Sequence, residues 1–473
     1  MPQIITRAKP SLEFIPPRYA PVVRWVSARI MPLWLRYQLR VVDVELVGGE
    51  ALAKLYQAFE SGQVRFLLAF RHPTSDDPPC LAHVIWNKLP QVVSKSRISL
   101  SKATHVHFVY ERGIPLWAGL WTGWLFSKLG GTPIRRGVLD TQGLRSIREL
   151  FATGQFPVAI APEGATNGHN ELVSPIEPGI AQFGFWCLDD LCKAGRADEA
   201  VLIVPLGLQY HFVTAPWGAL VERLAQLEVD TGLAPPAEPL NLRDGQPPSP
   251  EEDERLYQRL LTLAKHLLSQ VERFYKDYYG YPAAPECPAP STSDTRPDAL
   301  SENGDFAARL RTLLNVSLSV AEETFGVKAK GSLSDRCRRV EQVGWDRIYR
   351  DDSDAGIPAL TQGFNNLVAE EAELRIWHMR LVENLVSVTG KYVAEARTID
   401  RYADTTLLMW KIVNQICGKR SARRMYLGDR TVQLTVGEPI SVSDRGSEYK
   451  QNRRQAVADL TQVLQTAMES LVI

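Results

Sequence analysis

The heptapeptide RHPTSDD, residues 71–77, directly follows the apolar run FLLAF at 66–70. His72 with carboxylates four and five residues on is the material of a general base. An imidazole near neutrality takes a proton, and a carboxylate fixes its tautomer and stabilises its cation. On a regular helix an offset of five turns two side chains roughly 140° apart. His72 and Asp77 therefore meet only if the segment straddles a strand-to-helix turn. Pro73 favours such a turn, and Thr74 or Ser75 supplies a cap for the helix behind it. Asp76, at offset four, is the alternative partner if that helix starts earlier. Taken alone, the stretch also reads as a loop histidine among solvated aspartates.

Three further segments carry groups that fit beside such a base. LGGTPIRRGVLD (129–140) places glycines before a short strand and ends it on Arg135 and Arg136, and a guanidinium fork suits a phosphate monoester. Its plainer reading is a surface basic pair. IAPEGATNG (160–168) sets Glu163 and Gly164 just past a buried strand. The glycine lets the backbone approach a ligand, and the carboxylate orders an arginine or accepts from a hydroxyl. A helix-start glutamate is the plainer reading here. VLIVPLGLQ (201–209) is an apolar strand interrupted by Pro205, a residue that central strands exclude unless a bulge or a working edge requires it.

These segments need a scaffold, and residues 64–213 provide one. Strands are expected at VRFLLAF (64–70), THVHFVY (104–110), PVAIA (157–161) and AVLIVPLGL (200–208), with helical patterns such as LRSIRELFATG (144–154) between them. That alternation predicts an α/β layer with a mixed, largely parallel sheet flanked by helices. In such sheets chemistry gathers at the carboxyl ends of the strands, where both RHPTSDD and PEGATNG fall. Beyond the Pro-rich stretch 234–250 the pattern turns helical: a charged helix at 251–280, a disordered surface loop at 281–305, then helices to about 425. TVQLTVGEPISV (431–442) reads as a strand and turn, and 453–472 as an amphipathic helix.

At 473 residues the chain is too long for one ordinary core, so two or three domains are expected. Lys+Arg and Asp+Glu stand at 54 each, so no global field argues for nucleic acid. The six cysteines are scattered without a CxxC pair, which favours reduced thiols over a disulfide framework or a zinc site. His105 and His107 share a face of one strand but have no third ligand nearby in sequence. GxSxG, GxGxxG and Walker motifs are absent, which argues against a serine hydrolase, a dinucleotide enzyme and an NTPase. No run of about 18 apolar residues predicts a membrane span. Residues 18–42 instead pattern as a helix whose Arg18, Arg29, Arg36 and Arg40 fall within an arc of roughly 40° at 100° per residue. That suits a helix lying in a membrane interface and equally one packed on the protein's own core. KRSARR (419–424) is a second basic patch.

In order and spacing the four segments resemble the glycerolipid acyltransferase family of lysophosphatidic acid and glycerol-3-phosphate acyltransferases. The family's His-x4-Asp block is His72 to Asp77. Its glycine-led strand ending in arginine is Gly131 to Arg136, its Pro-Glu-Gly block is Pro162 to Gly164, and its proline-bearing apolar strand lies around Pro205. The chain departs from the pattern at Ala165, where the family carries a hydroxyl residue. Thr166 supplies that hydroxyl one position later, and the arginine that often follows is missing. The resemblance implies an acyltransferase-like fold in two pieces, residues 46–232 and 428–473, with 1–45 as an N-terminal helical arm and 233–427 as an inserted, mainly helical region. It implies transfer of a fatty acyl group from a thioester of acyl carrier protein or coenzyme A to a hydroxyl of a glycerol phosphate acceptor, foremost 1-acyl-glycerol-3-phosphate, in phospholipid synthesis. His72 and Asp77 would be catalytic; Arg136, Glu163, Gly164 and Thr166 would bind substrate. No metal or other cofactor is called for. A lysophospholipid or glycerol phosphate and the membrane surface are the expected partners, at a cytoplasmic, peripheral location. The alternative is a catalytically degenerate, acyltransferase-like protein that binds lipid or acts as a scaffold.

Overall fold

The computed structural model describes residues 7–119, 121–135, 139–234, 236, 238–281, 299–350, 356–419 and 424–472. The chain divides into two compact units. One, built on a sheet, comprises Glu13–Arg135, Leu139–Val213 and Gly428–Ile473; the other takes in Thr214–Leu427 and the first residues of the chain. The helix Trp217–Thr231 thus belongs to the second unit, although the sequence boundary expected at 232 sets it with the first.

The sheet unit contains, in chain order, β1 (Val41–Val47), β2 (Val64–Phe70), β3 (His107–Glu111), β4 (Thr132–Ile134), β5 (Val158–Ile160), β6 (Ala200–Phe212), β7 (Arg430–Val436) and β8 (Ile440–Ser441). Their order across the sheet is β1-β7-β6-β2-β5-β3-β4, with β8 beside β6. The five strands from β6 to β4 run parallel; β7 is antiparallel to β6, and β1 is parallel to β7. This is the mixed, mostly parallel α/β sheet expected from the alternating pattern. VRFLLAF is apolar without alternation because β2 is covered on both faces. Phe66, Leu68 and Phe70 enter one core with α1 (Pro21–Gln38), α2 (Gly49–Glu60) and α3 (Asp77–His83). Leu67 and Ala69 enter the other with α6 (Thr141–Thr153) and α7 (Gly179–Lys193). Between these helices, α4 (Ile114–Ala118) and α5 (Trp121–Lys128) connect β3 to β4.

Pro205 is tolerated because of a break in the strands beside it. Its carbonyl accepts from the Gly437 amide at 2.9 Å, so the missing N–H faces the gap between β7, paired from Leu206 onward, and β8, paired at Leu202 and Ile203. The N-terminal helix ends at Gln38, short of the expected 42. Arg40 adopts a positive φ of 55° and turns the chain into β1.

The second unit is helical: α8 (Trp217–Thr231), α9 (Pro250–Tyr279), α10 (Ala299–Phe325), α11 (Leu333–Ile348), α12 (Ala359–Leu385) and α13 (Ile399–Ile416). A two-residue parallel bridge pairs Lys9–Pro10 with Tyr349–Arg350. α9 starts with a capping box between Ser249 and Glu252 and ends at Gly280 with a φ of 67°. Of the loop expected at 281–305, residues 282–298 lie outside the described residues, and α10 begins at Ala299. Most of the KRSARR patch, residues 420–423, also lies outside them.

Candidate active site

The register of the parallel strands brings the candidate residues into one row. Ala69 of β2 pairs with Ile160 of β5, Phe108 of β3 with Ala159, and Val109 of β3 with Thr132 of β4. Three residues beyond that register line, at the carboxyl edge, stand His72, Glu163, Arg112 and Arg135. Neighbouring strands lie about 4.8 Å apart, so the backbones in this row span on the order of 14 Å. A base, a carboxylate and two guanidinium-bearing residues thus leave adjacent strand ends in sequence.

His72 follows β2 and precedes α3, so RHPTSDD straddles a strand-to-helix turn. Its Nδ1 lies 3.0 Å from Asp77 Oδ2. The Thr74 amide donates to that same oxygen at 2.9 Å, and the Tyr210 hydroxyl donates to Oδ1 at 2.5 Å. Asp77 is fully buried and the His72 side chain is 19% exposed. With Nδ1 on the carboxylate, Nε2 is the nitrogen not used by Asp77. Burial pushes the Asp77 carboxyl up from its ordinary range, and the hydrogen bond and charge of His72 act against that rise. Asp76, the other aspartate, does not reach the imidazole. It pairs with Arg430 of β7 at 2.9 Å, which leaves Asp77 alone as the partner of His72.

Glu163 supports the base from below. Its Oε1 accepts from the His72 amide at 2.8 Å; its Oε2 accepts from the Ser174 amide at 2.9 Å and from Asn167 Nδ2 at 3.3 Å. Burial raises its carboxyl, while the His72 amide and the nearby Arg71 charge oppose the shift. With both oxygens engaged by the protein, Glu163 shapes the loop and fixes the backbone of His72. Arg71 does the same from the other side: its buried guanidinium donates to the carbonyls of Asn170, of His169 at 2.8 Å and of Leu172 at 2.7 Å. Gly164 turns the chain with a φ of 71°, a conformation that L side chains rarely adopt. Thr166 is half-buried on the same loop, and the Gly168 amide donates to the Pro73 carbonyl at 2.9 Å, joining this loop to RHPTSDD.

At the far end of the row Arg112 Nη2 lies 2.5 Å from Asp140 Oδ2, an oxygen that also accepts from the Arg135 amide at 2.8 Å. Desolvation lowers the Arg112 guanidinium, and the neighbouring Arg135 charge adds to that. Arg136 lies outside the described residues. Sequence reasoning missed Arg112 and Tyr210. A strand ending in Tyr-Glu-Arg is the signal that could have found Arg112; Tyr210 sits 133 residues from Asp77 and carries none. Among the described residues no group of three or more His, Cys, Asp or Glu could hold a metal ion. A surface groove of about 510 Å³ between α6 and α7, lined by Leu144, Arg145, Arg148 and Trp186 among others, includes none of the row.

Comparison of the chain with protein-family models, with curated proteins and with solved structures returns no match.

Proposed function

We propose that this protein is an acyltransferase, moving a fatty acyl group from a thioester of acyl carrier protein or coenzyme A to a hydroxyl of a glycerol phosphate acceptor, foremost 1-acyl-glycerol-3-phosphate. The observation that carries this reading is the 3.0 Å contact of His72 Nδ1 with the buried Asp77, on a ring that is partly exposed. His72 Nε2 takes the acceptor's hydroxyl proton as that oxygen attacks the thioester carbonyl. Asp77 stabilises the imidazolium that forms. The tetrahedral intermediate then collapses, the carbon–sulfur bond breaks, and the departing thiolate takes the proton back from His72. Arg135, with Arg136 beside it in sequence, supplies the positive charge for the acceptor's phosphate, and Arg112, paired with Asp140, adds its guanidinium to the same end of the row.

The acyl chains of donor and acceptor call for a bilayer surface, and α1 has the character for it. Val22, Trp25, Ile30, Leu33 and Tyr37 are each more than half exposed on its outer face, with Arg29 stacked on Trp25 at 5.0 Å to the ring centre. Trp121 and Trp124 of α5 are exposed as well. Residues 14–42 contain five arginines and no acidic residue, a composition that suits anionic headgroups. Among the described residues no helix is long and apolar enough to cross a membrane.

The test is release of free thiol from an acyl thioester, dependent on lysophosphatidic acid, by wild-type protein and His72→Ala. Acceptor-dependent release that disappears in the variant is the expected result. Absence of release from either thioester would leave the lipid-binding alternative. Full activity of His72→Ala would remove the dyad from the mechanism.

A further inference from the structure

We propose that Tyr210 is a positioning residue of the dyad: it holds Asp77 on the side away from His72 and limits how strongly that carboxylate retains the imidazole's proton. The kinetic consequence rests on the acyl-transfer reading; the electrostatic one does not.

Three donors converge on a single buried carboxylate. Oδ2 receives the Thr74 amide and faces His72, while Oδ1 receives the Tyr210 phenol at 2.5 Å. Tyr210 is held at its main chain and covered at its ring. Asn170 grips the Tyr210 main chain on both sides, accepting from its amide at 2.8 Å and donating to its carbonyl at 2.7 Å. Arg430 lies over the ring at 4.7 Å while its Nη2 holds Asp76 at 2.9 Å. Burial and the Asp77 charge push the phenol well above its usual range, so it remains a donor throughout the range in which imidazole titrates.

A donor on the far oxygen draws negative charge away from the oxygen that faces His72. Without it, the buried pair is a less stabilised anion and keeps its last proton to higher pH. At neutral pH more of the His72 population would then be protonated and unable to accept from a hydroxyl. Tyr210 thus keeps the base available.

The experiment is Tyr210→Phe, read first by the titration of His72 in imidazole-labelled protein, with its signal assigned by its loss in His72→Gln. The expected result is an upward shift of the His72 midpoint by about one unit. Replacing Tyr210 by 3-fluorotyrosine, a stronger donor of nearly equal volume, is expected to move the midpoint down and covers the case in which the Phe variant does not fold. In turnover, Tyr210→Phe lowers kcat by up to about tenfold on the acidic limb of the pH profile, moves that limb upward and leaves the acceptor KM unchanged. A purely structural tyrosine would lower the melting temperature without moving the midpoint, and an unmoved midpoint overturns the assignment. A shifted midpoint in a protein without thiol release would keep the assignment and discard acyl transfer.

Discussion

Histidines stand at both ends of this sheet, and their surroundings differ in every respect that matters to chemistry. At the carboxyl edge, His72 has one nitrogen on a carboxylate and a partly exposed ring. At the amino edge, His105 has neither free. Trp86 donates its indole N–H to Nδ1 at 2.9 Å, which makes Nε2 the protonated nitrogen, and that one donates to the Leu129 carbonyl at 2.8 Å. Tyr19, Trp86 and Phe156 pack around the ring, and burial pulls its pKa down to about 3. His107 donates Nδ1–H to the Gly130 carbonyl at 2.8 Å. The pair that alternates on one strand like metal ligands is committed to neutral hydrogen bonding. The same side chain is committed to structure where neutral partners use its edges, and is equipped for proton transfer where a carboxylate takes one of them.

The strongest way to break this contrast is to delete one ring at each end. His72→Gln is expected to lower acyl transfer by about 10²–10⁴-fold, the range of a positioned base. His105→Gln should leave kcat within about threefold, because its ring reaches no substrate. Comparable losses from both would end the distinction.

The two adjacent aspartates sharpen it next. Asp77→Asn leaves the imidazole without an anionic partner and is expected to lower kcat by about 10²-fold with little change in acceptor KM. Asp76→Asn instead strands Arg430, and a broken buried pair of this kind costs about 3 kcal/mol of stability. Denaturant unfolding beside steady-state kinetics separates the two outcomes; a reversed assignment would exchange them.

Arg112→Lys retains charge but loses the planar fork. An acceptor KM raised about tenfold, with kcat nearly unchanged, is expected; an unaltered KM removes Arg112 from the phosphate site. The smallest effect is in stability against pH. His105 has a folded pKa depressed from 6.5 to about 3, so the folded state binds fewer protons there than the unfolded state. Its contribution is present in full above about pH 6.5 and is lost as the pH falls towards 3, with a slope of up to about 1.4 kcal/mol per pH unit. His105→Gln should flatten unfolding free energy between pH 4 and 6; an unchanged slope would place the acid sensitivity elsewhere.

What could be read from the sequence was local. VRFLLAF lies at Val64–Phe70 as expected because a strand buried on both faces writes itself as an unbroken apolar run. The five-residue offset required a turn between His72 and Asp77, and that turn exists. Which aspartate faces the ring was not legible, since it depends on Arg430, 354 residues away from Asp76. Arg112 entered the row only through strand order and register, neither of which a single strand records. Glu163 was legible as a carboxylate just past a buried strand, but its place under the His72 backbone depends on Ser174 and Asn167 in a loop without periodicity.

β7 comes from the end of the chain yet lies between β1 and β6, and it carries the arginine that holds Asp76 and covers Tyr210. During synthesis the strands on either side of it wait for a neighbour that emerges after the whole helical unit. Closing so long an excursion costs little more entropy than closing one half as long, but it makes completion of the sheet a late event. A nascent or prematurely terminated chain therefore lacks the arginine that holds Asp76 and covers Tyr210, and the surroundings of His72 and Asp77 are complete only once that strand has joined the sheet.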